Sequence, residues 1–172
     1  DLILESGRSL GMILTATPGF RARRIEAGLL SAGADFDHTT TPFEVGLGHY
    51  INFKKDDFIG REALLKADKQ SRSWGIRVEN GIALRGRHLE KDGIIQGRVT
   101  SSSWSPYQEC GIGIVLLDDA EGIPGSRFQV CCNDGKLHMA EICSLPMYDE
   151  NREIVRGRKI DIPQAPNPWK IS

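Results

Sequence analysis

Three groupings of residues in this sequence could do chemistry. Arg24 and Glu26 flank Ile25, Asp35 and Asp37 flank Phe36, and Ser101, Ser102 and Ser103 form a run. A planar guanidinium grips a carboxylate through two parallel hydrogen bonds, so Arg24 is a candidate anion clamp. The other reading is a surface ion pair with Glu26, which contributes little. On extended backbone Arg24 and Glu26 point the same way while Ile25 enters a core; on a helix they diverge. Asp35 and Asp37 suit an acid–base pair, or local turns beside Gly33 and Thr39. The serines lack a placed histidine partner and read as small polar residues of a barrel strand.

Other chemistry lacks the residue spacing it requires. His38, His49, His88 and His138 have no second histidine or cysteine at metal-ligand spacing, so no metal site is expected. Cys110, Cys131, Cys132 and Cys143 include no Cys-x-x-Cys pair, so they are expected as reduced, partly buried thiols. Gly46-x-Gly48 and Gly111-x-Gly113 lack the third glycine of a dinucleotide loop, since positions 51 and 116 are Ile and Leu. Neither a phosphate-binding Gly-x-x-x-x-Gly-Lys loop nor a Gly-x-Ser-x-Gly elbow occurs.

Composition narrows the class. The 172 residues are 40% hydrophobic with a net charge of −1, which gives no electrostatic case for nucleic acid or an acidic membrane as partner. No apolar run is long enough to span a bilayer, and the first residues lack the pattern of a secretory signal, so a cytoplasmic location is expected. Asp1 to Glu5 read as the last turns of a helix without an initiating methionine, so the N-terminus is expected to be cut rather than started.

The elements that must position these residues follow. Leu2, Ile3, Leu4 and Leu10 make the apolar side of a short helix ending near Gly7 or Gly11. Met12-Ile13-Leu14 is expected as a buried strand, and Thr17-Pro18-Gly19 as a turn. Residues 33–40 read as loop. Thr41-Pro42-Phe43-Glu44 has the form of a capping box opening a brief helix. Tyr50, Ile51 and Phe53 read as a strand. Gly60 then caps a helix through Ala67, with Ile59 and Leu64 as a hydrophobic staple.

From Trp74 onward the pattern changes to short strands. Asn80-Gly81, Asp92-Gly93 and Asn133-Asp134-Gly135 are hairpin signals. The run from Ile112 to Leu117 is apolar on both faces, hence fully buried. Phe128, Val130 and Cys132 alternate with polar or small residues, as do Leu137 and Met139. The expected class is α+β: a short mixed segment, residues 1–71, then a small antiparallel Greek-key barrel, residues 72–148. Residues 149–172 form a polar, proline-rich tail in which Trp169 could anchor.

The run RRIEAGLLSAGADFDHTTTPFEVGLG, followed by DFIGREALL, resembles the glycine-cleavage T-protein (aminomethyltransferase) family. GIIQGRVTSSSWSP with CGIGIVLL is similar to that family's C-terminal domain. Within the family, RRIEAGLLSAGADFD and NDGKLHMAEICSLPM look closest to tetrahydrofolate-dependent demethylases such as dimethylsulfoniopropionate demethylase.

The resemblance implies a clover-leaf enzyme that moves a one-carbon unit from a small methyl or aminomethyl donor onto tetrahydrofolate in a central hole. It implies that the arginine matching Arg24 binds the folate or its acidic tail, which favours the clamp. It also implies a folate contact just after the last strand, where Arg152 falls nearest and Arg156 is a substitute. The family's catalytic aspartate belongs to an N-terminal half that the resemblance does not find here, so no catalytic residue is expected in this chain. Two other readings are a non-catalytic barrel that binds or regulates, and the C-terminal part of a folate-linked flavin amine dehydrogenase.

Overall fold

The computed structural model describes residues 2–12, 14, 16–119 and 122–160. Two helices come first, α1 at Leu2–Arg8 and α2 at Thr17–Glu26, and a third, α3, spans Arg61–Lys66. Six strands follow: β1 Ser73–Val78, β2 His88–Lys91, β3 Ile94–Ser105, β4 Cys110–Leu117, β5 Arg127–Cys131 and β6 Leu137–Cys143. They close into an antiparallel barrel in the order β1-β4-β3-β2-β5-β6, with β6 returning to β1. Strands β2, β3 and β4 are successive neighbours and β1 lies beside β4, which is the Greek-key arrangement. No helix among the described residues is long and apolar enough to cross a membrane.

Asp92 and Gly93 both have positive φ, 53° and 76°, so β2 and β3 meet in the tight turn that fits strand twist. The run in β4 is buried on both faces because it serves two cores. Val115 and Leu117 join Ile76, Val78, Leu89, Val99, Phe128 and Val130 inside the barrel. Ile112 and Ile114 instead meet Ile25 of α2, with Cys143 and Met147. The helix therefore covers the barrel wall, which a lone barrel would leave wet.

Several local expectations are corrected. Thr17-Pro18-Gly19 opens α2, with proline in its first turn, rather than turning the chain. Met12 and Leu14 lie outside any strand, and Ile13 lies outside the described residues. The Met12 amide bonds the Gly7 carbonyl at 3.0 Å, so the chain doubles back on the end of α1. The capping box forms: Thr41 N donates to Glu44 Oε2 at 2.7 Å, and Glu44 N to Thr41 Oγ1 at 3.3 Å. Only one turn follows it, because Gly46 at φ 74° reverses the chain. Tyr50 sits in a 3₁₀ turn at Gly48–Tyr50, packed where the Phe43 ring fills the space beside Gly48, and not in a strand. Helix α3 ends at Lys66, one residue early. Ile59 is fully exposed, so the staple to Leu64 is not made. Leu137 and Met139 point outward, because His138 is paired with the inward Val130 and shares its face. Trp169 lies outside the described residues.

Gly111 approaches the β1 end so closely that a Cβ would stand 1.9 Å from the Gly81 carbonyl oxygen. Gly111→Ala should therefore cost about 1–3 kcal/mol in urea unfolding, the range for overpacking. Burial pushes the thiols of Cys132 and Cys143 up to about 11 from the ordinary 9.0. Below pH 9 both states keep these protons and stability does not depend on them. Above it the unfolded chain ionises first, so their contribution falls away towards pH 11. The urea midpoint should drop more steeply from pH 9 to 11 in the wild type than in a Cys132→Ala/Cys143→Ala variant.

Candidate functional site

Helix α2 sets the geometry of the site. Its sequence runs from Pro18 in the first turn to Gly28 just past the end, the asymmetry helices favour. Gly28 takes φ 67° and its amide bonds the Ile25 carbonyl, while the Leu29 amide reaches back to the Arg24 carbonyl at 2.8 Å. That pair of bonds is a Schellman stop. Because residues 23–26 are helical, Arg24 and Glu26 diverge, and the ion pair between them is not formed. Each finds a different partner on β3.

Arg24 closes on Asp35. Its Nη1 donates to Asp35 Oδ2 at 2.9 Å and to the Leu29 carbonyl at 3.0 Å, and its Nη2 donates to Ser101 Oγ at 2.7 Å. The Asp35 side chain is fully buried. Oδ1 accepts from Thr100 Oγ1 and Ser101 Oγ, both at 2.6 Å, and Oδ2 also accepts from Ser31 N at 2.8 Å. All four acceptor sites of the carboxylate are filled. A bulge in β3 between Val99 and Ser101 makes this possible. In a regular strand Thr100 and Ser101 would face opposite ways; the bulge lets both hydroxyls meet one carboxylate.

Glu26 makes the second anchor. Buried with its helix face against the barrel, it accepts from Ser105 Oγ at 2.5 Å and from Arg23 Nη1 at 3.3 Å. Its backbone carbonyl receives the amides of Met147 and Tyr148. Asp37 behaves as the turn reading expects: the hydroxyl and amide of Thr39 hold its carboxyl below the usual range. It is not paired with Asp35.

Cavities open on both sides of α2. On one, Thr17, Phe20, Arg21 and Arg24 face Ser31, Arg85 and Ser102 across a cleft of about 340 Å³. On the other, a more apolar cavity of about 500 Å³ has Leu29, Ile154 and Val155 as walls, with Arg23 and Arg152 among its lining. Tyr107 and Tyr148 stack there with centroids 5.3 Å apart, and Arg23 lies 3.6 Å over the Tyr107 ring. Tyr148 Oη is buried without a partner among the described residues. Arg152 holds φ 54°, rare for a residue with a side chain, in a turn braced by Asp149. It also lines a third cavity of about 600 Å³ between the 27–30 segment that follows α2 and the 45–50 turn. Arg24 and Arg152 thus line different cavities, separated by α2. Arg156 is exposed and bonds the Asn151 carbonyl.

The described residues include no group of three or more His, Cys, Asp or Glu that could hold a metal ion. His138 Nε2 meets Asp134 Oδ2 at 2.8 Å in the β5–β6 turn, far in sequence from α2. The four cysteines are free thiols. Sequence reasoning singled out Asp35 and Ser101 for other roles and missed their bonds to Arg24, and it did not single out Arg85. The run of serines after Thr100 was the available signal, since hydroxyls on a strand under a helix must find acceptors.

Arg24 is therefore a structural residue as well as a candidate ligand residue. Arg24→Ala would strand the buried Asp35 charge and should cost about 3–5 kcal/mol in chemical unfolding. Replacing both partners, Arg24→Met with Asp35→Leu, should recover a large part of that loss; equal instability in the double variant would show that the pair is not the anchor.

Comparison with known proteins agrees with this architecture. The family model described as the glycine cleavage T-protein C-terminal barrel domain matches residues 72–149. An aminomethyltransferase of Thermosipho melanesiensis is 36% identical over 166 residues, which is 92% of this chain and 44% of that protein. One from Caldanaerobacter subterraneus subsp. tengcongensis is 31% identical over 155 residues, 88% of this chain and 41% of that protein. The crystal structure of glycine cleavage system aminomethyltransferase T from Bartonella henselae superposes with a TM-score of 0.65 at 24% identity, covering 76% of this chain and 38% of that one, and so shares the fold. The chain spans less than half the length of these relatives. The barrel of residues 72–149, carrying α2 on its wall, belongs to the glycine cleavage T-protein family as its C-terminal domain.

Proposed function

We propose that this chain is the C-terminal portion of a one-carbon transferase, an aminomethyl- or methyltransferase whose acceptor is tetrahydrofolate. The observation that carries the reading is the family barrel with α2 locked onto its wall by Arg24 and Asp35. In this reading residues 1–71 are the return segment of a central region, 72–148 the terminal barrel and 149–172 the tail. An N-terminal half supplies the acid–base carboxylate, and this chain supplies one wall of the folate hole. The relatives' names favour an aminomethyl donor, while the demethylase branch rests on sequence stretches alone.

Arg24 and Arg152 are the proposed folate contacts. Arg24 has its guanidinium held in place by Asp35 and Ser101, so it presents a fixed edge to the cleft rather than a mobile charge. Arg152 brings a cation to an apolar cavity with stacked tyrosines and an unpartnered hydroxyl, features that suit a planar ligand with polar edges. A single ligand touching both would cross the C-terminal end of α2 at Ala27 to Leu29.

Titration of the polypeptide in its genomic context with tetrahydrofolate tests this. Arg152→Ala should weaken binding about tenfold, the loss of one charge-assisted contact, without lowering the urea midpoint. Unchanged affinity would remove Arg152 from the site. The 172-residue chain by itself should show no transferase turnover.

A further inference from the structure

The chain changes character at Tyr148. Up to that residue it is tied to the body of the fold. The amides of Met147 and Tyr148 both donate to the Glu26 carbonyl, at 2.8 and 3.1 Å, and Arg77 Nη2 donates to the Met147 carbonyl at 3.1 Å. Arg77 is itself held, since its Nε donates to Gln108 Oε1 at 2.7 Å. Beyond Tyr148 the bonding turns inward: among the described residues, the hydrogen bonds of residues 149–159 all stay within that segment. Asp149 accepts from Glu153 N through Oδ1 at 2.7 Å, from Ile154 N through Oδ2 at 3.0 Å and from Arg152 N through its carbonyl at 2.7 Å. The Glu153 carbonyl accepts from Arg158 N and Lys159 N, and the Ile154 carbonyl from Gly157 N.

The joint between the two parts is the N–Cα bond of Asp149. Rotation about it carries the Asp149 side chain and carbonyl along with everything after them, so it breaks none of the segment's own bonds. Asp149 holds φ 56°, in the left-handed region that is disfavoured for a residue with a side chain, so the broad regions at negative φ are open to it. Among the described residues, the segment's one ring contact with the body is Lys159 Nζ, 5.7 Å over the Tyr148 ring. The segment also walls two cavities. Asp149, Arg152, Ile154 and Val155 line the one of about 500 Å³, and Arg152 lines the one of about 600 Å³ as well. Both cavities include Ala27 and Leu29, so Arg152 stands where they meet.

We infer that residues 149–159 form a strap that swings as one body about Asp149, with Lys159 on Tyr148 as its latch. Closed, it parts the two cavities at Arg152. Open, it joins them into one cleft along Ala27 to Leu29 and admits a ligand longer than either cavity holds. Opening gives up a cation–π contact and some apolar cover but no hydrogen bond, whereas moving residue 147 or 148 would break bonds to Glu26 and Arg77. The strap is a property of the fold and stands whatever ligand the cavities take.

NMR relaxation dispersion on the 172-residue chain, with labelled Ile and Val methyls and backbone amides, tests this without any ligand, so its outcome is independent of the one-carbon reading. The methyls of Ile154 and Val155 should exchange together at one rate on the microsecond-to-millisecond scale, while those of Ile112 and Ile142 in the barrel stay silent. Amide order parameters across 150–158 should remain near those of a rigid backbone, about 0.85, because the unit moves intact. Lys159→Gln should raise the open population about two- to fivefold, the loss of one exposed cation–π contact. Lys136→Gln, in the exposed β5–β6 turn, removes the same charge and should leave the exchange unchanged. Silent Ile154 and Val155 methyls, an open population that Lys159→Gln does not alter, or order parameters below about 0.6 along the whole segment, the mark of a melted tail, would each overturn the inference.

Discussion

One buried carboxylate organises this chain. Asp35 is removed from water and would be costly there unless every lone pair were met. It is met by Arg24 from the helix, Ser31 from the loop, and Thr100 and Ser101 from the barrel. Helix, loop and a barrel strand distant in sequence thus converge on two oxygen atoms. Apolar contact alone, Ile25 against Ile112 and Ile114, would bury α2 but allow it to slide or rotate. Directional bonds to both Asp35 and Glu26, at opposite sides of Ile25, fix the helix in register and rotation. The cavities on either side inherit their shape from that fixed rotation.

The barrel is adapted to receive this helix at some cost to its own regularity. The β3 bulge at Thr100 interrupts the ladder with β4. The Thr100 hydroxyl, which also lies 3.0 Å from the Ile114 carbonyl, links the bulge back to the strand it disturbs. Five positions on, Ser105 closes β3 with a hydroxyl that accepts from Gln108 N and donates to Glu26. Strand β3 is twelve residues long, the longest of the six, because it has to span both anchors.

Much of the barrel was legible in the sequence because its signals are local. Asp92-Gly93 demands a turn whatever surrounds it, and Phe128, Val130 and Cys132 alternate as a strand wall must. The segment before residue 72 was harder to read. Thr17-Pro18-Gly19 carries two helix-breaking residues, and only the distance to Gly28 reveals that they open a ten-residue helix. Leu137 and Met139 look like core by type, yet the register with β5 turns them out. Arg24 was recognisable as a clamp, but its partner was not: Asp35 lies eleven residues on, across a loop, and the nearer Glu26 was the obvious candidate. Partner choice is decided by the helical phase and by a bulge, neither of which a pair of residue types announces.

The distribution of satisfied and unsatisfied polarity indicates the kind of work this surface does. Asp35 has no free lone pair, and Glu26 is committed to Ser105 and Arg23. A carboxylate so engaged holds its neighbours still but cannot trade a proton without breaking the anchor. Around α2, the described groups left with unspent donor capacity include Arg21, Arg85 and Arg152, and the hydroxyl of Tyr148. All of these are donors. Donors on a rigid frame recognise and orient an electron-rich partner, and rigidity matters because each guanidinium whose position is set beforehand loses less entropy on binding. The buried acids therefore serve the exposed bases: they spend their own chemistry on fixing α2, and that fixed helix gives the cations a surface from which to act.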